Sequence, residues 1–120
     1  MPFTRESVIA AWLDVVDAST HAREAMSSIE HSLLEGVTAL RRGGSALDAL
    51  AAAGVKGQRA DLDASWRLVR AARHRFRVVL VGHCLADGLD VRAISEVWGF
   101  SREAADALVR EARELEVSYN

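Results

Sequence analysis

The feature that most constrains this chain is the stretch from Thr4 to Arg42, in which apolar and small residues recur at alternating steps of four and three. This spacing places them along one stripe of an α-helix. The stripe consists of Val8, Trp12, Val15, Ser19, Ala22, Met26, Ile29, Leu33, Gly36 and Leu40. The one proline of the chain, Pro2, lies before the stretch, so nothing in it interrupts a helix. The small members of the stripe predict the close approach of another helix.

Two arrangements are compatible with this stripe. A single helix would be roughly 58 Å long at 1.5 Å per residue, whereas a hairpin would break near Ser19 and Thr20, either of which can cap a second helix. Basic residues followed by Gly43 and Gly44 predict the end of the segment. Ser45 is then expected to cap a short helix over residues 46–53, closed by Gly54. Residues 55–60 are predicted to form a loop.

A second long helix is predicted from Asp61 to about Asp87, where Gly88 ends it. Its later part, VVLVGHCL, is apolar on all sides, and a buried strand is the competing interpretation for such a β-branched run. No second strand exists elsewhere in the sequence to pair with it, which favours a helix. The spacing of the large aromatic residues is typical of a core, and these residues are Trp12, Trp66, Phe76 and Trp98.

The sequence after Gly88 has the pattern of two short helices joined by a tight turn. Asp90 is expected to cap a helix from Val91 to Trp98, Gly99 supplies the positive φ that the turn needs, and Ser101 caps a helix to about Glu114. The residues predicted to face inward are Ile94, Val97, Trp98, Ala105, Leu108 and Val109. This is a helix-turn-helix pattern, whose second helix can enter a DNA major groove.

The predicted fold is therefore all-α, with an N-terminal long helix or helical hairpin followed by a three-helix unit that contains the helix-turn-helix. Residues 1–58 are assigned to an N-terminal helical region for packing or dimerisation, and residues 59–120 to a helix-turn-helix DNA-binding unit. Both are expected to form one compact domain, which is the number that 120 residues suggest.

The stretch RHRFRVVLVGHCLADGLDVRAISEVWGFSREAADALVREARE resembles the helix-turn-helix segment of small actinobacterial DNA-binding regulators. The upstream LRRGGSALDALAAAG is also similar, so that the resemblance covers roughly residues 39–114. It implies a transcriptional regulator in which Ser101 meets phosphate, Arg102 meets base edges and Arg110 is a late basic position of the recognition helix. The chain departs from the group at Glu103, where glutamine is usual, and at Asp106, where serine is common.

The distribution of charge complicates this interpretation. The net charge is −2; residues 59–81 carry six basic and two acidic side chains, and residues 82–120 carry four basic and eight acidic ones. Glutamate can accept a hydrogen bond from cytosine, but attraction to phosphate supplies most non-specific affinity for DNA. The candidate DNA-binding residues are Arg92, Ser101, Arg102, Glu103, Asp106 and Arg110, with Arg73 and Arg77 from the preceding helix. The full basic stripe of that helix is Arg67, Arg70, Arg73, His74, Arg75 and Arg77, for which a solvated helix face is the competing interpretation.

Other features exclude several classes of function. No stretch approaches the roughly 20 apolar residues of a membrane span, the N-terminus lacks the pattern of a secretory signal, and the lone Cys84 cannot form an internal disulfide. We therefore predict a cytoplasmic protein. The histidines lack the spacing of a helical metal site, no catalytic triad is apparent, and His83 and Cys84 are expected to be core residues. The chain is expected to be no enzyme and to need no cofactor or metal.

Two functional hypotheses follow. In the first, the chain is a DNA-binding transcriptional regulator that binds double-stranded DNA as a homodimer formed through the N-terminal stripe. In the second, it is a protein-interaction module whose acidic helix-turn-helix face binds another regulator or part of the transcription machinery. The two hypotheses differ in salt-dependent binding to duplex DNA.

Overall fold

The computed structural model describes residues 3–119, and every regular element in that range is an α-helix. The helices are α1 (Arg5–Arg41), α2 (Ala46–Ala53), α3 (Val55–Ala86), α4 (Val91–Trp98) and α5 (Arg102–Tyr119). The predicted all-α class is confirmed, and the apolar run that allowed a strand is helical. Within the described residues, no helix combines the length and the apolarity needed to cross a membrane.

α1 is one continuous helix, so the hairpin alternative with a break near Ser19 and Thr20 is wrong. α2 begins and ends as predicted. The Ser45 N–H donates to the Asp48 carboxylate at 3.0 Å, and the Ser45 hydroxyl accepts from the Asp48 N–H at 3.1 Å. This capping box satisfies two backbone donors that the first turn of a helix leaves free, and Gly54 closes α2 in the left-handed conformation.

The predicted loop over residues 55–60 is wrong, because α3 begins at Val55, directly after Gly54. With a φ of 61°, Gly54 redirects the chain in a single residue, and the segment after it contains no proline to delay a helix. The Gln58 side-chain amide also donates to the Ala53 carbonyl, which ties the first turn of α3 to the end of α2. α5 likewise extends beyond the predicted Glu114, to Tyr119.

The contacts of the chain group into two units, residues 3–15 with 71–119, and residues 16–70. α1 and α3 each contribute to both. The division predicted after residue 58 concerns dimerisation and DNA binding rather than the grouping of contacts, and it stays a prediction. The first unit contains the hydrophobic core, made of Phe3, Val8, Ala11, Val78, Val79, Val81, Ile94, Leu108, Val109 and Ala112.

The N-terminus is fixed to α3 within the first unit. Phe3 is buried, and a Cβ placed on Gly82 would lie 2.6 Å from its ring. The Phe3 carbonyl accepts a hydrogen bond from the His83 Nδ1–H at 2.8 Å. His83 is therefore a half-buried histidine with a hydrogen-bond partner, as the sequence predicts.

The second unit has an interior of small residues. Its buried residues are Gly36, Ala49, Ala53, Ser65 and Val69. Gly36 allows α2 to approach closely, because a Cβ there would lie 3.1 Å from the Ala53 Cβ. The close helix approach predicted from the small residues of α1 is confirmed at this position.

The predicted stripe of α1 divides into two sets. Val8, Val15, Ala22, Ile29 and Gly36 are buried or half-buried, whereas Trp12, Ser19, Met26, Leu33 and Leu40 are exposed. Residues four apart are offset by about 40° around a helix. The buried side of α1 therefore combines the first set with the small residues that lie three positions after its members. These are Ala11, Ala18, Ala25, Ser32 and Ala39. The core assignment of Trp12 and Trp66 is therefore wrong, since they are 57% and 48% exposed.

Candidate nucleic-acid interface

α4 and α5 are joined by the three residues Gly99 to Ser101. Asp90 caps α4 by accepting the Ala93 N–H at 2.8 Å. Gly99, with a φ of 78°, ends α4 and donates its N–H to the Ser95 carbonyl at 2.8 Å. The Ser101 hydroxyl then caps α5 by accepting the Ala104 N–H at 3.1 Å. Each of these caps is one that the sequence predicts.

Buried residues of α4 and α5 belong to the core of the first unit. Ile94, Leu108 and Val109 are among its members, and Ala105 is buried too. Val97, however, is 92% exposed, so its predicted inward orientation is wrong. The inward side of α4 follows Val91, Ile94, Ser95 and Trp98, and Val97 lies about 100° around the helix from Trp98.

Aromatic residues support the turn between the two helices. The ring of Trp98 is 4.8 Å from that of Phe100 and 5.7 Å from that of Phe76, between centroids, and Phe76 is 4.9 Å from Trp12. The guanidinium carbon of Arg77 lies 5.5 Å from the centroid of Phe100. This distance allows a cation–π contact, which holds Arg77 of α3 beside the turn. Trp98 itself is half-buried.

The outward face of α5 carries both signs of charge. Glu103, Asp106, Arg110 and Arg113 follow steps of three, four and three, and together with Val91 and Val109 they line an open groove of about 510 Å³. Sequence reasoning missed Arg113, although its spacing from Arg110 and Asp106 is a signal that could have found it. Among the described residues, Arg102, Glu103, Asp106 and Arg110 form no ion pair within 4.0 Å, so their charges face solvent.

Other acidic residues of α5 lie on the side that faces α3. His74 Nε2 is 2.9 Å from both carboxylate oxygens of Glu111. Glu111 and Glu114 line a second groove with Arg75. The acidic charge of α5 is therefore spread over its exposed side: Glu111 lies beside His74, whereas Glu114 lies one turn beyond Arg110 and close to it around the helix. The predicted basic stripe of α3 is also divided, because His74 and Arg75 face these acids while Arg77 packs on Phe100.

The remaining predicted residues are accessible. Ser101 and Arg102 are exposed at the start of α5, where the helix dipole favours an anion. The Arg92 side chain is 86% exposed, with its Nε 3.4 Å from Glu96. Arg73 is exposed one turn before Arg77 on α3. The structure thus brings Glu103, Asp106 and Arg110 together in one groove, Ser101 and Arg102 at the start of α5, and Arg77 at the turn.

Metal binding needs grouped ligand side chains, and nucleophilic catalysis needs a reactive group such as a thiolate. Within the part of the chain that the structure describes, no three His, Cys, Asp or Glu side chains are grouped to hold a metal ion. Cys84 is half-buried against the core. Burial raises the pKa of its thiol, with a smaller contribution from Asp87, and a protonated thiol is a poor nucleophile.

No protein-family model, curated protein or solved structure matches this chain.

Proposed function

We propose that this chain is a DNA-binding transcriptional regulator in which α4 and α5 form a helix-turn-helix. The observation that carries the proposal is the exposed start of α5, fixed by the Gly99 turn and the Ser101 cap, with Arg102 and Arg110 directed outward. In this arrangement Arg102, Glu103 and Arg110 read base edges in the major groove, while Ser101 and Arg92 hold phosphate.

The charge of the exposed side of α5 sets a condition on this assignment. Arg102, Arg110 and Arg113 are exposed on α5 together with four carboxylates, those of Glu103, Asp106, Glu111 and Glu114. The arginines do not outnumber the carboxylates, so non-specific attraction of one half-site to DNA is weak and depends on arginines outside α5, such as Arg92. A homodimer compensates, because two linked half-sites bind DNA with a combined affinity well above either one.

The proposal is tested by selecting duplexes from a random library with the purified chain and measuring affinity by fluorescence anisotropy. Loss of a bidentate arginine–base contact costs about 1–3 kcal/mol, so Arg102→Ala is expected to weaken binding to the selected duplex at least fivefold. Arg59→Ala, an exposed arginine of the second unit, is the matched control and is expected to change affinity less than twofold. Equal affinities for Arg102→Ala and the wild type would contradict the assignment.

A protein-interaction module is the second candidate, and one observation favours it. Val97 is almost fully exposed, next to the half-buried rings of Trp98 and Phe100, and an exposed apolar group of this kind suits a protein partner. In this case the chain binds no duplex even at low salt. A Val97→Asp variant would then lose the partner, whereas under the first proposal it would retain DNA binding.

A further inference from the structure

Residues 16–70, the second unit, have large apolar side chains on the outside and small ones inside. The exposed large apolar residues are Val16, Met26, Leu33, Leu34, Val37, Leu40, Leu47, Leu50, Val55, Trp66 and Leu68. Against this set, the one buried large apolar residue is Val69. Monomeric proteins rarely expose contiguous apolar patches beyond a few hundred Å². This distribution indicates that part of the unit is covered by another protein surface.

Within this unit, α1 carries two heptad patterns, of which one faces inward. The inner seam consists of Ala18, Ala22, Ala25, Ile29, Ser32, Gly36 and Ala39, all buried or half-buried. The outer stripe consists of Val16, Ser19, Arg23, Met26, Glu30, Leu33, Val37 and Leu40, all exposed. Both follow steps of three and four, which is the spacing of coiled-coil core positions. The outer stripe therefore has the layout of a coiled-coil seam, and its large side chains have no partner helix within the described chain.

The middle of the outer stripe indicates what covers it. Arg23 and Glu30 lie on either side of Met26 and, with Ser27, Ile29 and Leu33, line an open groove of about 390 Å³. An antiparallel second copy whose two-fold axis passes near Met26 brings Arg23 of each chain towards Glu30 of the other. A parallel copy would instead place like charges side by side, which is unfavourable.

We propose that the outer stripe of α1 is a homodimer interface, on which a second copy of this chain packs in the antiparallel direction. This inference rests on the homodimer of the proposed function and specifies its face and orientation, but it does not require DNA. In such a dimer the apolar residues at the two ends of the stripe meet each other, because Val16 of one copy faces the region of Leu33 and Val37 of the other. The two Arg23–Glu30 contacts then fix the direction of packing.

The length of the stripe is sufficient for this role. In this register the paired part runs from Val16 to Val37, which is 22 residues of α1, or about 33 Å at 1.5 Å per residue and about three heptads. Coiled coils with specific pairing are built from about this number of heptads. The flanking Leu34 is also exposed, so the apolar strip is wider than the stripe alone.

The first test measures the mass of the purified chain by sedimentation equilibrium without DNA. The wild type is expected to have twice the mass of one chain, and Leu33→Glu/Val37→Glu the mass of a monomer. Val117→Glu changes an exposed valine of α5 in the same way, and this control is expected to remain a dimer. Circular dichroism establishes that each variant is helical. A monomeric wild type, or a dimer that persists in the double variant, would overturn the proposal.

The second test concerns direction and uses exposed positions, so that folding is preserved. Arg23→Glu and Glu30→Arg are each expected to raise the dimer dissociation constant at least tenfold, and Arg23→Glu/Glu30→Arg to restore it to within about threefold. Single reversals without effect, or a double reversal without rescue, would overturn the antiparallel arrangement. A dimer that behaves as expected but binds no DNA would instead contradict the proposed function alone.

Discussion

Phe3 and Gly82 illustrate how a single residue determines packing in this chain. The Phe3 ring lies where a Cβ on residue 82 would have to be, and Phe3 is 3% exposed. Glycine inside a helix costs up to about 1 kcal/mol relative to alanine. At this position that cost is offset by the burial of an aromatic ring that closes the core of the first unit.

A double-mutant cycle tests this contact. Gly82→Ala alone is expected to lower the free energy of unfolding by about 1 kcal/mol, because overpacking at 1–3 kcal/mol exceeds the gain in helix propensity. Phe3→Ala alone is expected to cost about 3 kcal/mol. In the Phe3→Ala background, Gly82→Ala should be neutral or stabilising. Chemical denaturation gives all four values, and additive effects would show that the two residues do not interact.

Asp48 makes the start of α2 sensitive to acid. The pKa of its carboxyl is held below its ordinary value by hydrogen bonds from the Ser45 backbone N–H and hydroxyl. A pKa that is lowered on folding stabilises the protein above the unfolded pKa, and this contribution is lost as pH falls through the folded pKa. The thermal midpoint is therefore expected to fall under acidic conditions less steeply in Asp48→Asn than in the wild type. Circular dichroism melts over this range measure the difference, and parallel pH profiles would contradict it.

At the scale of elements, α4 depends on the glycine that ends it. Gly99 has a φ of 78°, a conformation that costs a non-glycine residue about 1–2 kcal/mol. Gly99→Ala is expected to lower the free energy of unfolding by this amount. Gly57 is the matched control, because it lies inside α3 with nothing within 4 Å of an added Cβ. Gly57→Ala should raise the free energy of unfolding by up to about 1 kcal/mol, and a similar sign for both variants would contradict the turn geometry.

The elements show how far the sequence can be interpreted. Caps and turns were predictable, because Ser45, Asp90, Gly99 and Ser101 act through bonds to residues within four positions of themselves. The side of each helix that faces the core was not predictable from the sequence. The period of α1 is compatible with two adjacent stripes, and the small residues of α2 and α3 decide which of them is covered. The predicted inward orientation of Val97 was wrong because α4 is too short for its pattern to define an inward face uniquely.

The candidate interface was predictable to a similar extent. The exposed arginines and carboxylates of α5 follow from its helical period, and Ser101 and Arg102 from the cap. The partners of His74 and Arg77 were not predictable, because Glu111 and Phe100 reach them through tertiary packing. Only the contact with His74 removes an acidic group, Glu111, from the neighbourhood of Arg110.

At the scale of the whole molecule, the two units have contrasting surfaces. The first, residues 3–15 with 71–119, has a core of large apolar residues and an outward helix face of mixed charge. The second, residues 16–70, has small residues inside and large apolar residues outside. We expect the first to bind DNA and the second to form the dimer. A dimer-disrupting variant such as Leu33→Glu/Val37→Glu is therefore expected to lower affinity for a selected two-half-site duplex at least tenfold.

The salt dependence of duplex binding shows whether α5 binds DNA. If a dimer neutralises about four phosphates through Arg92 and Arg73 of each copy, the logarithm of the binding constant should fall with the logarithm of salt concentration at a slope of roughly −3 to −4. Arg92→Ala should make this slope shallower by about two, whereas Arg102→Ala should lower the affinity with little change in the slope. An absence of binding to any duplex at low salt would show that α5 does not bind DNA.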